Sequence, residues 1–349
     1  MRTGWWVGDE RIGEQMALGK GILAGAGATL GGAAVLAGTN AALAATTPPL
    51  WSVLPGDTKR YSWRDGEISY AVRGSGTPLL LLHGIYATAC GYEMRRVFAP
   101  FAEQYRVYCP DLIGFGLSDR PAIEYTPAVY MQMIRDFVQD VIGRSCIVVA
   151  SSLTAAYVIQ LAFDHPGLFR RLVLSLPTGL EQLADRTPSK AKTAATALFS
   201  SPVLGEALFN GLVSKPSLRY YLEKQSYYDP SVVTDEMIAY YHAAGHQKNA
   251  RYAPAAFVGQ QLNWSVRHAF ANLTQPVMVV WGANAMIAPI KYAHTFRHTN
   301  PRARLEILDR CGAVPHDECT DEFVRRVQPW LMLPDEEARW CEPVSEKSS

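Results

Sequence analysis

Asp111-Leu112-Ile113-Gly114-Phe115-Gly116-Leu117-Ser118-Asp119-Arg120-Pro121 is the stretch whose reading decides the fold. It follows the apolar run Arg106–Cys109, and its glycines permit close backbone turns. The stretch therefore reads as a tight loop leaving a buried strand, with Asp111 orienting it. Upstream, Leu79–Leu82 is a second apolar run, ending at His83-Gly84. Downstream, Ile147–Ala150 is a third, and it runs into Ser151-Ser152. Leu172–Leu176, Val277–Trp281 and Leu305–Leu308 repeat the pattern. Short apolar runs without polar alternation suit strands buried on both faces of a parallel sheet. Val129–Ile142 and Leu153–Phe163 carry apolar residues at helical spacing. Residues 58–73 read as a hairpin turning at Asp65-Gly66. The order strand, helix, strand predicts a doubly wound α/β sheet.

Residues 180–272 interrupt that order. Helix starts at Pro202 and Thr234, with tyrosine pairs at 220/221, 227/228 and 240/241, predict an inserted helical cap. Such a cap would cover the sheet's C-terminal edge with an apolar pocket tipped by phenols. The expected organisation is an N-terminal hydrophobic segment and linker at 1–57, a core at 58–179 and 273–335, the cap at 180–272, and a tail at 336–349.

Residues 21–38 contain no charge, and eighteen helical residues span about 27 Å, close to the hydrocarbon thickness of a bilayer. Membrane association through this single anchor is the leading expectation. Two rivals stand beside it: a signal peptide cleaved near Ala44, giving an exported protein, and a Gly/Ala-rich helix packed on a cytoplasmic protein. Lys+Arg number 33 and Asp+Glu 32, for a net charge of +1. That balance, without a dense basic run, excludes a nucleic-acid binder. The six cysteines show no CxxC or Cys/His zinc spacing, so neither a metal nor a cofactor is expected. His242 and His246, four apart on a cap helix, suit one edge of a metal site, but no third ligand accompanies them.

Leu81-Leu82-His83-Gly84, the Asp111–Pro121 loop and Val148-Val149-Ala150-Ser151-Ser152-Leu153-Thr154-Ala155-Ala156 together resemble the α/β-hydrolase superfamily, in its cap-bearing branch. The resemblance covers about residues 60–333. It implies an α/β-hydrolase fold, a mostly parallel doubly wound sheet with an inserted helical cap, preceded here by the Gly/Ala-rich helix. It places Ser152 at the nucleophile elbow, with backbone N–H groups of Ile85 and Leu153 as the oxyanion hole. The family's small residues flanking the elbow are Ala150 and Thr154 here, and the β-branched Thr154 is expected to crowd the turn. The family's acid and base positions fall on Ala285, in Trp281–Pro289, and on Ala313, in Cys311–Glu318. The end of the sixth strand, Leu176-Pro177-Thr178, offers no replacement carboxylate. A serine hydroxyl is a weak nucleophile without a base, so His316 and His83 become the candidate bases.

Two readings follow. One is an ester or acyl hydrolase or acyltransferase acting through Ser152 with a nonstandard base on a hydrophobic, lipid-like substrate. The other is an inactive relative that serves as a membrane-tethered module for a ligand or partner.

Overall fold

A computed structural model describes residues 30–180 and 190–339. All eight expected strands form: β1 (Asp57–Trp63), β2 (Gly66–Arg73), β3 (Pro78–Leu82), β4 (Arg106–Pro110), β5 (Cys146–Ser151), β6 (Phe169–Ser175), β7 (Val277–Gly282) and β8 (Arg304–Leu308). They make one sheet in the order β1-β2-β4-β3-β5-β6-β7-β8. β1 and β2 pair antiparallel, as does β2 with β4, and the other pairs are parallel.

The helices, in chain order, are α1 (Leu30–Thr46), α2 (Arg95–Ala102), α3 (Pro127–Phe137), α4 (Ser152–Asp164), α5 (Lys190–Ser200), α6 (Leu204–Leu212), α7 (Lys215–Tyr221), α8 (Asp235–Gly245), α9 (Tyr252–Val258), α10 (Arg267–Ala271), α11 (Lys291–Thr299), α12 (Pro315–Glu318), α13 (Thr320–Met332) and α14 (Asp335–Ala338). The central strands β3, β5 and β7 lack polar alternation because both their faces are covered, whereas the edge strand β1 is mostly exposed. Leu80, Leu82, Leu172 and Leu174 pack on one side with Tyr130 of α3 and Tyr157 of α4. Leu79, Leu81, Val173 and Val280 pack on the other, with Phe98 of α2 and Phe323 of α13.

The cap runs from α5 to α10 among the described residues. Thr234 caps α8 by accepting the Met237 N–H, as its sequence position predicted. The other predicted start, Pro202, lies just before α6, whose N-cap is Val203. The 336–349 tail begins differently from expectation. Ala338 is buried in the core and Asp335 meets Arg171, so ordered packing continues through α14.

Residues 21–29 of the hydrophobic segment lie outside the described residues. The rest belongs to α1, which runs past Ala44 and lies against the cap. Its buried Asn40 donates to the Val203 carbonyl at 3.1 Å and accepts from Asn210 at 3.1 Å. Gln247 donates to the Pro48 carbonyl and the Tyr240 hydroxyl to the Trp51 carbonyl, extending that seam. No described helix is long and apolar enough to cross a membrane.

Arg171 is the main staple between the sheet and the C-terminal helices. Its guanidinium donates to the Trp330 carbonyl at 2.7 Å, to Leu331 at 2.8 Å, to Leu333, and to the Asp335 carboxylate at 2.8 Å. These carbonyls lie at and just past the C-terminus of α13, where few helical N–H groups remain; Trp330 also accepts the Leu333 N–H at 3.3 Å. Arg171→Leu is expected to cost about 3 kcal/mol by stranding several acceptors. Arg170→Leu, at an exposed pair 3.6 Å from Asp335, should cost below about 1 kcal/mol. Urea unfolding of both variants checks the contrast.

Candidate active site

β5 ends at Ser151, and Ser152 opens α4 in the left-handed region, with φ of 51°. For a non-glycine residue that conformation costs about 1–2 kcal/mol. It projects the Ser152 side chain toward the end of β3. A Cβ on Gly84 would lie 3.2 Å from the Ser152 Cβ and 3.4 Å from the Ser151 Oγ. Glycine at 84 is what lets the two strand ends meet so closely.

The elbow expectation about Thr154 is not what the structure shows. Thr154 is fully buried, and its hydroxyl donates to the His83 carbonyl at 2.7 Å. A β-branched residue fits because its hydroxyl has a partner, and it fastens α4 to the loop after β3.

The predicted oxyanion donors are open. Ser151 is the N-cap of α4 but makes no side-chain cap. The Leu153 N–H therefore sits in an uncapped first turn, at the positive end of the helix dipole. The Ile85 N–H makes no hydrogen bond among the described residues, and neither does the Ser152 hydroxyl.

Ala285 and Ala313 are both buried, in the same apolar cluster as Leu153, Ala156 and Trp281. The Trp281 indole donates to the Ala288 carbonyl at 3.0 Å and shapes the loop that carries Ala285. The Ala313 N–H donates to the Ser226 carbonyl of the cap at 2.6 Å. A Cβ on the neighbouring Gly312 would stand 2.4 Å from that carbonyl and 2.7 Å from the Tyr228 nitrogen. The cap is thus pressed directly onto the loop after β8.

His83 is fully engaged. Its Nε2 accepts the Leu112 N–H at 3.0 Å, so its Nδ1 carries the proton and donates to the Gly84 carbonyl at 2.7 Å. These bonds tie the end of β3 to the Asp111–Pro121 loop. Asp111 orients that loop as expected, accepting from Gly91 at 2.6 Å and Leu117 at 2.7 Å.

His316 and the two acids after it hold the cap side of the site. His316 is fully buried, with Nδ1 2.9 Å from the Ser175 hydroxyl and Nε2 3.3 Å from Glu93 Oε1. The same Glu93 oxygen accepts the Gly84 N–H at 2.8 Å. Burial alone would raise the Glu93 carboxyl. The adjacent His316, with His83 and the Gly84 N–H, holds it below its ordinary value instead. Asp317 accepts from Arg95 at 2.8 Å and from the Tyr227 hydroxyl at 2.5 Å. Glu318 accepts the N–H groups of Tyr228, Asp229 and Gly312. Sequence reasoning missed Glu93 and Ser175. The available signal was a lone carboxylate amid the otherwise uncharged residues 85–94, and a serine closing an apolar strand.

The tyrosines mostly join cap to core. Tyr240 stacks on Tyr92 at 4.5 Å, and Tyr86 donates to Tyr241 at 3.3 Å. Tyr220 and Tyr228 are exposed. One shallow cleft lies beside Asp111 and Tyr240 and another between α1 and the cap at Asn40 and His246, and Ser152 lines neither. His242 and His246 stack on each other at 4.1 Å. Burial, then the neighbouring His246 and Lys215, push His242 down to about 4. Among the described residues no third Cys, His or carboxylate converges on the pair.

The left-handed elbow, the open amides and the covered parallel sheet define a hydrolase-type scaffold. Residues 79–326 match the model of the alpha/beta hydrolase family, and the chain belongs to that family. A soluble epoxide hydrolase of Corynebacterium sp. strain C12 is 26% identical over 65% of this chain and 81% of its own length. A 2-hydroxymuconate semialdehyde hydrolase of Pseudomonas sp. strain CF600 is 25% identical over 75% of this chain and 89% of its own. The solved structure of a membrane phospholipase A shares the fold at a TM-score of 0.65 and 19% identity, covering 95% of this chain and all (100%) of that one.

Two measurements test this geometry. Ser152→Gly is expected to be more stable than Ser152→Ala by about 1 kcal/mol, because glycine relieves the left-handed strain; thermal or urea unfolding of both reads it. Glu93 has a lowered folded value, so its contribution is present above the ordinary carboxyl value of 4.5 and is lost as pH falls through the folded one. The stability gap between wild type and Glu93→Gln should therefore be largest near neutral pH and shrink on acidification below about 4.5.

Proposed function

We propose that this chain is a serine-dependent ester or acyl hydrolase, or acyltransferase, acting on a hydrophobic substrate. The observation that carries the reading is Ser152 itself. A serine is held at left-handed φ with its hydroxyl unbonded, beside the open amides of Ile85 and Leu153, and such strained residues cluster at active sites. In this reading the Ser152 Oγ attacks the substrate carbonyl. The two amides receive the developing oxyanion, which is worth about 3–4 kcal/mol per well-placed donor in serine proteases. A hydrophobic acyl group is favoured because relatives of the same fold include a phospholipase and a lipase by name.

The base is nonstandard, since positions 285 and 313 hold alanines. His316 is the better candidate of the two histidines. His83 would have to give up the Leu112 N–H to take a proton, which would loosen the loop after β4. His316 has a buried carboxylate beside it, as an imidazole that must become imidazolium requires. Its Nδ1 meets Ser175, the register partner of Ser151, one residue before the nucleophile. Proton transfer from Ser152 would cross from the end of β5 to the end of β6.

A second reading, a non-catalytic module that binds a ligand or partner, draws on Ala285 and Ala313 sharing one apolar cluster under a bolted-down cap. Labelling with a fluorophosphonate separates the two. The serine-hydrolase reading expects labelling of wild type, none of Ser152→Ala, and labelling slowed at least about tenfold in a folded His316→Gln. Absence of labelling in folded wild type would favour the binding module. Unchanged labelling of His316→Gln, with loss in a folded His83→Gln, would move the base to His83.

A further inference from the structure

The loop after β8 carries a second constellation, separate from Ser152. Cys311 follows β8, Glu318 closes α12, and Cys319 is the N-cap of α13. Their donor atoms, two thiol sulfurs and a carboxylate oxygen, all lie within 4.8 Å of one another. Two thiolates on one tetrahedral zinc-class ion stand about 3.8 Å apart, given metal–sulfur bonds of about 2.3 Å, so this spacing needs only small adjustments. Both cysteines are free.

The carboxylate is already aimed. Glu318 Oε1 accepts the Tyr228 and Asp229 N–H groups at 2.8 Å each, and Oε2 accepts the Gly312 N–H at 2.6 Å. A carboxylate offers about four lone-pair positions, so one on Oε2 remains. Backbone donors that fix a ligating carboxylate are the usual outer support of a metal site. Cys311 is buried, while Cys319 is partly exposed and gives an entry path.

We propose that Cys311, Glu318 and Cys319 bind a thiophilic divalent cation of the zinc–cadmium class, with solvent in the fourth position. Two soft thiolates with one hard oxygen suit such an ion better than magnesium or calcium. Both thiols lose their protons on binding, so affinity falls as pH is lowered. The ion would tie the end of β8 to the start of α13 and, through Glu318, to residues 228 and 229 of the cap. It sits on the loop that carries Ala313 and His316, so its effect on the site would be structural. The sequence pattern, Cys followed seven and eight residues later by Glu-Cys, has no familiar zinc-motif spacing, which is why it escaped notice.

The test is titration of reduced, chelator-stripped full chain with Cd²⁺, read by thiolate-to-cadmium absorption. The expected result is saturation at one ion per chain, competition by Zn²⁺, loss of the band in Cys319→Ser, and its retention in Cys146→Ala, a buried cysteine that opens β5. Glu318→Gln should weaken binding about 10–100-fold. The proposal is overturned if wild type shows no saturable band, if Cys319→Ser retains it, or if peptide mapping finds Cys311 and Cys319 joined as a disulfide in the reduced preparation.

Discussion

The left-handed Ser152 is the constraint on which the site depends. A parallel strand that runs directly into a helix must reverse direction within one residue, and β5 does so at φ of 51°. That turn is held from both sides. Gly84 gives it room because it lacks a Cβ, and Thr154 holds the His83 carbonyl from the first turn of α4. The cost of a strained serine, about 1–2 kcal/mol, is spread over a sheet whose strand ends are fully buried. The scaffold therefore presents one hydroxyl at the positive end of a helix, with two amides left open beside it.

Around that turn the polar groups divide into two sets. His83 and Asp111 tie the ends of β3 and β4 together and face neighbouring backbone. Glu93, His316, Asp317 and Glu318 bind the loop after β3, α2 and the cap into one unit. Glu93 belongs to both worlds: one oxygen receives the Gly84 N–H and faces His316. A buried carboxylate in that position does structural work on the loop that carries Ile85. It also supplies the negative neighbour that a protonated His316 would need. The cap is fixed by Tyr227, by the backbone of 228 and 229, and by the Ala313 N–H, so the loop after β8 serves as the cap's footing.

The sheet was legible because strands buried on both faces leave unbroken apolar runs, and all eight expected strands formed. The strand–turn–helix pattern made the Ser152 turn legible, whereas Ile85 and Leu153 were named only through the family resemblance. The limits appear where function rests on long-range pairing. Glu93 and His316 are 223 residues apart in the chain, and nothing local to either announces the other. Thr154 looked like a steric fault because its hydroxyl partner, the His83 carbonyl, lies on another strand. The tyrosine pairs signalled a pocket, yet most of their rings are used in seating the cap. The hydrophobic N-terminal run was read by length alone; in its described part, a single buried Asn40 with two partners in the cap sets where α1 lies.

The central claim is that Ser152 forms a covalent acyl intermediate despite alanines at 285 and 313. It is tested most directly by pre-steady-state reaction with a p-nitrophenyl ester of a medium-chain fatty acid, followed by peptide mapping of the quenched protein. The account predicts a burst approaching one nitrophenol per chain and an acyl group on the peptide containing Ser152. A folded protein that gives no burst and no adduct, or an adduct on another residue, would contradict it.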